Sequence, residues 1–190
     1  LAQQRADSLR AAAMMPPKVL DTAKKAVAVQ DAVNDSLRKS LPPAYNGTES
    51  TVVLENKKLR LEFSTKGGHP ISALIKDYKT YDKQPLYLFN GKENQLSLQL
   101  PMNNGATTTG DLYYTPTLQS KPNGDQTLSF DADLGGGKKV NIVYSLPADD
   151  YMLQYHLATT GMPSPSLQLK WEAQGLHTER DVTTERHNSQ

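Results

Sequence analysis

Residues 51–78, TVVLENKKLRLEFSTKGGHPISALIKDY, contain the clearest fold signal in this sequence of 190 residues. In their middle, apolar Leu59, Leu61 and Phe63 alternate with charged side chains. A period of two is typical of a β-strand that buries one face and exposes the other. The Lys-Gly-Gly sequence at 66–68 then predicts a turn, and the apolar run at 71–75 predicts the next strand. The stretch therefore predicts consecutive strands.

The same kind of signal continues beyond this stretch. Short apolar runs follow at 86–89, 96–100, 113–118, 128–130, 140–146, 151–157 and 167–171, and Asn-Gly, Gly-Gly-Gly and Ala-Asp-Asp sequences separate several of them. Pro116 predicts that its strand lies at a sheet edge, because proline cannot donate a ladder hydrogen bond. Short strands at this spacing are typical of an antiparallel β-sandwich or barrel. We therefore predict an all-β domain at 45–172.

The alternation also predicts which side chains are buried. The apolar positions of each strand share one face, and that face is expected to point into the core. The predicted core comprises Leu59, Leu61, Phe63, Leu128, Phe130, Val140, Ile142, Tyr144, Tyr151, Leu153, Tyr155 and Trp171.

Residues 1–44 have a different composition. They contain ten alanines, no glycine and no aromatic residue, and they carry a charge of +3 from seven basic and four acidic residues. All twelve glycines and all thirteen aromatic residues lie at 45–190. Helix-compatible stretches on either side of Pro16 and Pro17 end at Pro42 and Pro43, since proline interrupts helices. We predict a helical spacer at 1–44, and a polar connecting segment at 173–190.

Composition excludes several classes of protein. The net charge of +1, from 21 basic and 20 acidic residues, argues against a strongly basic nucleic-acid binder. The absence of cysteine excludes disulfides, a thiolate zinc site and a cysteine nucleophile. No apolar run approaches the roughly 20 residues that a membrane-spanning helix needs.

Candidate chemistry is sparse. The histidines at 69, 156, 177 and 187 lack the close spacing of metal ligands on one helix, and we expect His156, His177 and His187 to face solvent. The carboxylates of Asp149 and Asp150 fall between two alternating strands, where a turn explains them. No nucleophile elbow or phosphate loop is present. We therefore expect no catalytic residue, no metal and no cofactor.

One cluster is a candidate interaction patch. Tyrosine and phenylalanine side chains fall within twelve residues, interspersed with lysines. Amphipathic aromatic residues supply contact area for a partner, although packing in a core or at a sheet edge is the alternative. We call the patch the hairpin patch, and its members are Lys76, Tyr78, Lys79, Tyr81, Lys83, Tyr87 and Phe89.

The opening stretch also resembles a known family. The strand, Gly-Gly turn and following Ala-Leu-x-x-x-Tyr segment are similar to the start of the large periplasmic domain of YidC-family membrane protein insertases. The positions that carry this resemblance are Leu59, Leu61, Thr65, Lys66, Gly67, Gly68, Ala73, Leu74 and Tyr78. The hairpin around Asp150 and Tyr151 is similar to a Gly-Asp-Tyr turn of that family, with Asp149 in place of the glycine. The resemblance covers about 50–172, and the turns resemble Bacteroidetes-type members.

The resemblance implies a fold and a function. The implied fold is a β-supersandwich, similar to galactose-mutarotase-like folds, of which this chain holds the first part. Residues 1–44 would follow a membrane helix that is not in this sequence. An incomplete sandwich would leave an exposed edge strand, through which two copies could pair as a homodimer.

The implied function is that of a periplasm-facing domain in a Gram-negative inner membrane. The family assists insertion and folding of membrane proteins as insertase and chaperone, and this domain would be a non-catalytic accessory module. Sec translocon components and membrane-protein substrates are the implied partners, with no nucleic acid. Two alternatives stay open: a carbohydrate-binding or mutarotase-like module, and a purely structural spacer.

Overall fold

The computed structural model describes residues 41–102, 105–163, 168–173 and 176. The chain divides into two units, 1–41 and 42–190. The helices predicted within 1–40 lie outside the described residues, as does most of the connecting segment predicted at 173–190. Within the described part, no helix has the length and apolar character needed to cross a membrane.

Antiparallel strands make up most of the described residues. The strands are β1 (Thr51–Glu55), β2 (Leu59–Ser64), β3 (His69–Lys79), β4 (Pro85–Asn90), β5 (Gln95–Met102), β6 (Gly105–Thr108), β7 (Thr115–Ser120), β8 (Gln126–Gly135), β9 (Lys138–Leu146), β10 (Gln154–Thr160) and β11 (Gln168–Glu172). Two short 3₁₀ helices, η1 (Pro43–Tyr45) and η2 (Thr109–Asp111), accompany them.

The strands form three sheets. The first has the order β1-β2-β3-β4, the second β10-β9-β8-β7, and the third, smaller one β11-β5-β6. The first two sheets are meanders, in which each strand pairs with its neighbours in the sequence. This confirms the predicted antiparallel sandwich. Strand β7, which contains Pro116, lies at a sheet edge as predicted.

The core lies between the first two sheets. Phe63 of β2 packs on Tyr144 of β9, with ring centroids 4.6 Å apart, and on Phe130 of β8 at 5.9 Å. Phe130 and Tyr144 meet edge-on at 6.1 Å, a favoured aromatic geometry. The predicted burial is confirmed for the alternating apolar positions of β2, β8 and β9. These buried residues are Leu59, Leu61, Phe63, Leu128, Phe130, Val140, Ile142 and Tyr144.

The turn between β2 and β3 enters this core. Gly67 and Gly68 both have positive φ, at 84° and 59°, a region that glycine adopts without steric cost. A Cβ at Gly68 would lie 3.3 Å from both Ile142 and Tyr114. The Tyr144 hydroxyl donates a 2.8 Å hydrogen bond to the Gly68 carbonyl oxygen. The glycine pair thus provides the tight turn that its sequence predicted, and the structure adds close packing at Gly68.

Burial predicted for the last two strands is wrong. Trp171 is 67% exposed, and Tyr151 and Tyr155 are 39% and 40% exposed. Leu153 is half-buried. Alternation places Tyr151, Leu153 and Tyr155 on one face, but the described residues cover that face only in part: Tyr155 contacts Tyr144, and Leu153 packs against the core while staying partly exposed. The strand also begins later than predicted, at Gln154, because Asp150 Oδ1 accepts the backbone N–H groups of Tyr151 and Met152 in a turn.

The partial exposure of Leu153 lowers the loss of stability that we expect from replacing it by alanine. The sequence pattern predicts that Leu153→Ala costs about 2–5 kcal/mol, as for a buried leucine. With Leu153 half-buried, we expect the free energy of unfolding to fall by only about 1 kcal/mol, since less apolar surface is lost. Urea denaturation monitored by circular dichroism measures the difference. A loss as large as that for Leu128→Ala, at a fully buried position, would contradict the exposed face.

Candidate interaction surface

The hairpin patch lies at the end of β3, in the following turn and in β4. Tyr78, Lys79, Tyr81 and Lys83 are exposed. Tyr87 and Phe89, on β4, are half-buried. The structure therefore separates the patch into an exposed group of two tyrosines and two lysines, a half-buried aromatic pair on β4, and Lys76, which has partners of its own.

Lys76 belongs to the structural framework of this hairpin. Its Nζ donates a 2.6 Å hydrogen bond to the Asn56 carbonyl oxygen and lies 3.2 Å from Glu55 Oε2. These contacts tie β3 to the turn between β1 and β2. A charge reversal at Lys76 would place a carboxylate beside Glu55, so Lys76 is unsuitable for testing recognition by the exposed group.

A second surface, which we call the apolar groove, lies beside the patch. It is a cavity of about 670 Å³ between the first sheet, β10 and β11. Tyr78 and Phe89 of the hairpin patch line it, together with core residues of β2 and β9. Its exposed apolar side chains are Tyr78, Leu88, Tyr151, Tyr155, Leu169 and Trp171.

Two tyrosines at the groove are held by specific contacts. The Tyr151 hydroxyl donates a 3.0 Å hydrogen bond to Asp77 Oδ2, and Lys58 Nζ lies 4.9 Å from the centre of its ring. The Tyr155 ring lies 5.3 Å from that of Tyr144, and partial burial raises the pKa of Tyr155 to about 12. Both side chains present ring surface to the groove.

Sequence reasoning missed the groove as a site. It assigned Tyr151, Tyr155 and Trp171 to the core and gave no role to Leu88 or Leu169. The sequence feature that could have revealed the groove is the alternation of apolar residues, because it marks one apolar face on β10 and on β11. The sequence gives no information on which elements cover that face.

A polar pocket lies on another side of the fold. It has a volume of about 470 Å³ and brings His69 together with Glu49, Lys66, Lys92 and Asp111. His69 Nε2 lies 3.0 Å from the Asn94 carbonyl oxygen, and burial lowers the pKa of His69. Lys92 forms a 3.1 Å ion pair with Glu49. Within this pocket the charges of Glu49 and Lys92 thus compensate each other, while the buried Nδ1 of His69 has no hydrogen-bond partner among the described residues.

The other titratable residues singled out in the sequence lie apart. His156 is exposed, as predicted, and His177 and His187 lie outside the described residues. Asp149 is in the predicted turn and pairs with Lys57 and Lys58 at 3.6 and 3.4 Å. Among the described residues, no group of three or more histidine, aspartate or glutamate side chains is placed to hold a metal ion.

Comparisons with known proteins identify relatives of this chain. The family described as the YidC periplasmic domain matches residues 51–189. Membrane protein insertase YidC of Parabacteroides distasonis is 37% identical over 136 residues, covering 68% of this chain and 21% of the relative. The insertase of Cytophaga hutchinsonii is 37% identical over 142 residues, covering 73% and 23%. That of Porphyromonas gingivalis is 33% identical over 148 residues, with the same coverage.

These relatives are Bacteroidetes proteins, in agreement with the resemblance. The chain spans about a fifth of the length of these curated relatives. No solved structure matches the chain. The match over 51–189, a large majority of the chain, together with the identity to these insertases, shows that the chain belongs to the YidC periplasmic-domain family.

Proposed function

We propose that this chain is a non-catalytic accessory module on the periplasmic side of an inner-membrane protein insertase. Membership of the family and the names of its relatives support the placement of this module in a membrane protein insertase, on its periplasmic side. The observation that carries the recognition role is the exposed group of the hairpin patch, in which Tyr78 and Tyr81 stand beside Lys79 and Lys83. Exposed tyrosines at the end of a rigid hairpin supply contact area at low entropic cost.

The partners that we propose are Sec translocon components and membrane-protein substrates, engaged through the full-length protein. Assistance with insertion and folding is then an activity of the whole insertase, to which this module contributes contacts. The two lysines favour a partner surface with acidic residues around an apolar centre, because complementary charges guide association. Pairing of two copies along β10, a strand at the edge of its sheet, stays a further prediction.

The recognition role is tested by charge reversal in the full-length insertase. We expect Lys79→Glu combined with Lys83→Glu to weaken co-purification of translocon components by about tenfold, because both charges then oppose an acidic partner. Stability is expected to change by less than about 0.5 kcal/mol, since both side chains are exposed. Quantitative pull-downs at fixed ionic strength measure the association.

The matched control reverses two exposed lysines elsewhere, with Lys121→Glu and Lys139→Glu. These variants should retain wild-type association. Equal association of both double variants would exclude the hairpin patch as the contact. If deletion of residues 51–172 also leaves association and insertion unchanged, the module is a structural spacer.

The sugar-binding alternative has one possible location. The polar pocket is lined by His69 and by the carboxylates of Glu49 and Asp111, and a pair of carboxylates is what glycoside chemistry uses. However, Glu49 is held by Lys92, and His69 contacts the backbone oxygen of Asn94. Saturable heat on titration with galactose, abolished by His69→Gln, would favour the sugar-binding alternative over a recognition module.

A further inference from the structure

The turn between β3 and β4 has a strained backbone position at its tip. Lys83 has a φ of 66°, and among the described residues it is the only one other than glycine with a positive φ. A side chain in this left-handed region crowds its own backbone, so the position favours glycine. Strain of this kind persists only where the surrounding structure fixes it, and it is concentrated at functional sites.

Hydrogen bonds within the turn hold Lys83 in this conformation. The Lys83 N–H donates to the Thr80 carbonyl oxygen at 2.9 Å, and the Thr80 N–H donates to the Gln84 carbonyl oxygen at 3.0 Å. The Thr80 hydroxyl accepts the Gln84 N–H at 3.0 Å and contacts the carboxylate of Asp82. This is the pattern of the three-residue hairpin loop whose last residue is left-handed. The tip is therefore a fixed, convex structure.

The turn between β7 and β8 has the same hydrogen-bond pattern but different residues. The Lys121 N–H donates to the Asp125 carbonyl oxygen at 2.8 Å, and the Gly124 N–H donates to the Lys121 carbonyl oxygen at 2.9 Å. Its loop residues are Pro122, Asn123 and Gly124, and Gly124 takes the left-handed position with a φ of 89°. Proline, asparagine and glycine are the residues that turns favour.

The β3–β4 turn has tyrosine and lysine where the β7–β8 turn has proline and glycine. Tyr81 is 62% exposed and lies outside the core. Lys83 is exposed and forms no ion pair with another described residue. Neither the stability of the turn nor the packing of the core explains these two residues. The tip thus presents an aromatic ring and an ammonium group to its surroundings.

We propose that Tyr81 and Lys83 insert into a concave pocket on a folded partner protein, with an apolar floor for the ring and carboxylates for the ammonium group. A fixed tip loses little conformational entropy on binding, and its charge complements such a pocket. Extended segments are bound in grooves or along strand edges, and a convex tip is neither. The inference rests on the proposed recognition role, and it selects folded translocon components over extended membrane-protein substrates as partners of this turn.

Exchange of the loop sequence tests the proposal. The triple variant Tyr81→Pro, Asp82→Asn and Lys83→Gly gives the β3–β4 turn the loop residues of the β7–β8 turn. In the full-length insertase, we expect co-purification of translocon components to fall at least about tenfold, because the ring and the ammonium group are both lost. In the 190-residue chain, the melting temperature should not fall, since the new residues suit the turn.

Single variants and a second probe serve as controls. Lys83→Gly alone should lower co-purification by about two- to fivefold, as for the loss of one exposed charge pair. Lys83→Arg keeps the positive charge and should retain wild-type association. Cross-linking of the triple variant to a stalled membrane-protein nascent chain should also stay at the wild-type level.

Each contrary result has a separate meaning. Unchanged co-purification of the triple variant, when Lys79→Glu with Lys83→Glu weakens it, would exclude the tip as the contact and leave the recognition role standing. Loss of cross-linking to the nascent chain alone would assign the turn to extended substrates. A lower melting temperature would show that Tyr81 and Lys83 serve the turn itself. If the charge-reversed pair has no effect either, the recognition role is wrong as well.

Discussion

Replacement of Tyr144 by alanine is expected to lower the free energy of unfolding by about 3–5 kcal/mol, the largest effect of any single substitution considered. Tyr144 is 1% exposed and contacts the rings of Phe63, Phe130 and Tyr155. Alanine removes these contacts and leaves a cavity between the two main sheets. Since small domains have stabilities of only about 5–15 kcal/mol, the loss is a large share of the total.

The variant Tyr144→Phe separates the contribution of the ring to stability from that of the hydroxyl. It keeps the aromatic packing but removes the hydrogen bond to the Gly68 carbonyl oxygen, which stays buried in the turn. We expect a loss of about 1–3 kcal/mol, the cost of an unsatisfied buried acceptor. Urea denaturation of the wild-type protein, Tyr144→Ala and Tyr144→Phe measures separately the cost of losing the ring and the cost of losing the hydroxyl. An alanine variant no less stable than the phenylalanine variant would contradict the ring's role in the core.

Gly68→Ala is expected to cost about 2–4 kcal/mol. Part of this cost is the left-handed backbone at φ of 59°, which disfavours a Cβ by about 1–2 kcal/mol. The rest arises because the new methyl group would approach Ile142 and Tyr114 to 3.3 Å, closer than ordinary packing allows. Thermal and urea unfolding both measure the change.

Gly136→Ala provides the matched control. Gly136 has nearly the same φ, 61°, but no atom lies within 4 Å of its added Cβ. We expect only the backbone cost there, about 1–2 kcal/mol. If both alanine variants lose the same stability, the methyl group added at position 68 does not clash with the core, and the close-packing explanation is wrong.

The sequence predicts the central strands well because their burial follows from local alternation. Leu61, Phe130 and Ile142 each lie on strands whose apolar face meets a partner sheet, so pattern and burial agree. Strand β6, with the sequence Gly-Ala-Thr-Thr, has no apolar alternation and is defined only by its pairing with β5. Local pattern therefore cannot predict it.

The same limit explains the errors at the candidate site. Trp171 and Tyr155 follow the pattern of core residues, yet burial depends on what packs against a face, and that is a tertiary property. The apolar groove combines residues of β3, β10 and β11, which are far apart in the sequence. The structural role of Lys76 likewise depends on its contacts with Glu55 and Asn56 across the β1–β2 turn. The clustering of tyrosines and lysines led to the prediction of the hairpin patch but could not distinguish Lys76, which has partners, from the exposed Lys79 and Lys83.

The meander order of the two main sheets determines when each can form during synthesis. All pairings of the first sheet join neighbouring strands and need only short loops to close. Its core face, however, is covered by β8 and β9, which are made later. At about 5–20 residues per second, the 56 residues from Asn90 to Leu146 take about 3–11 s to synthesise. During those seconds the nascent first sheet lacks the cover that β8 and β9 give to Phe63 and Leu61, and transiently uncovered apolar surface of this kind favours aggregation.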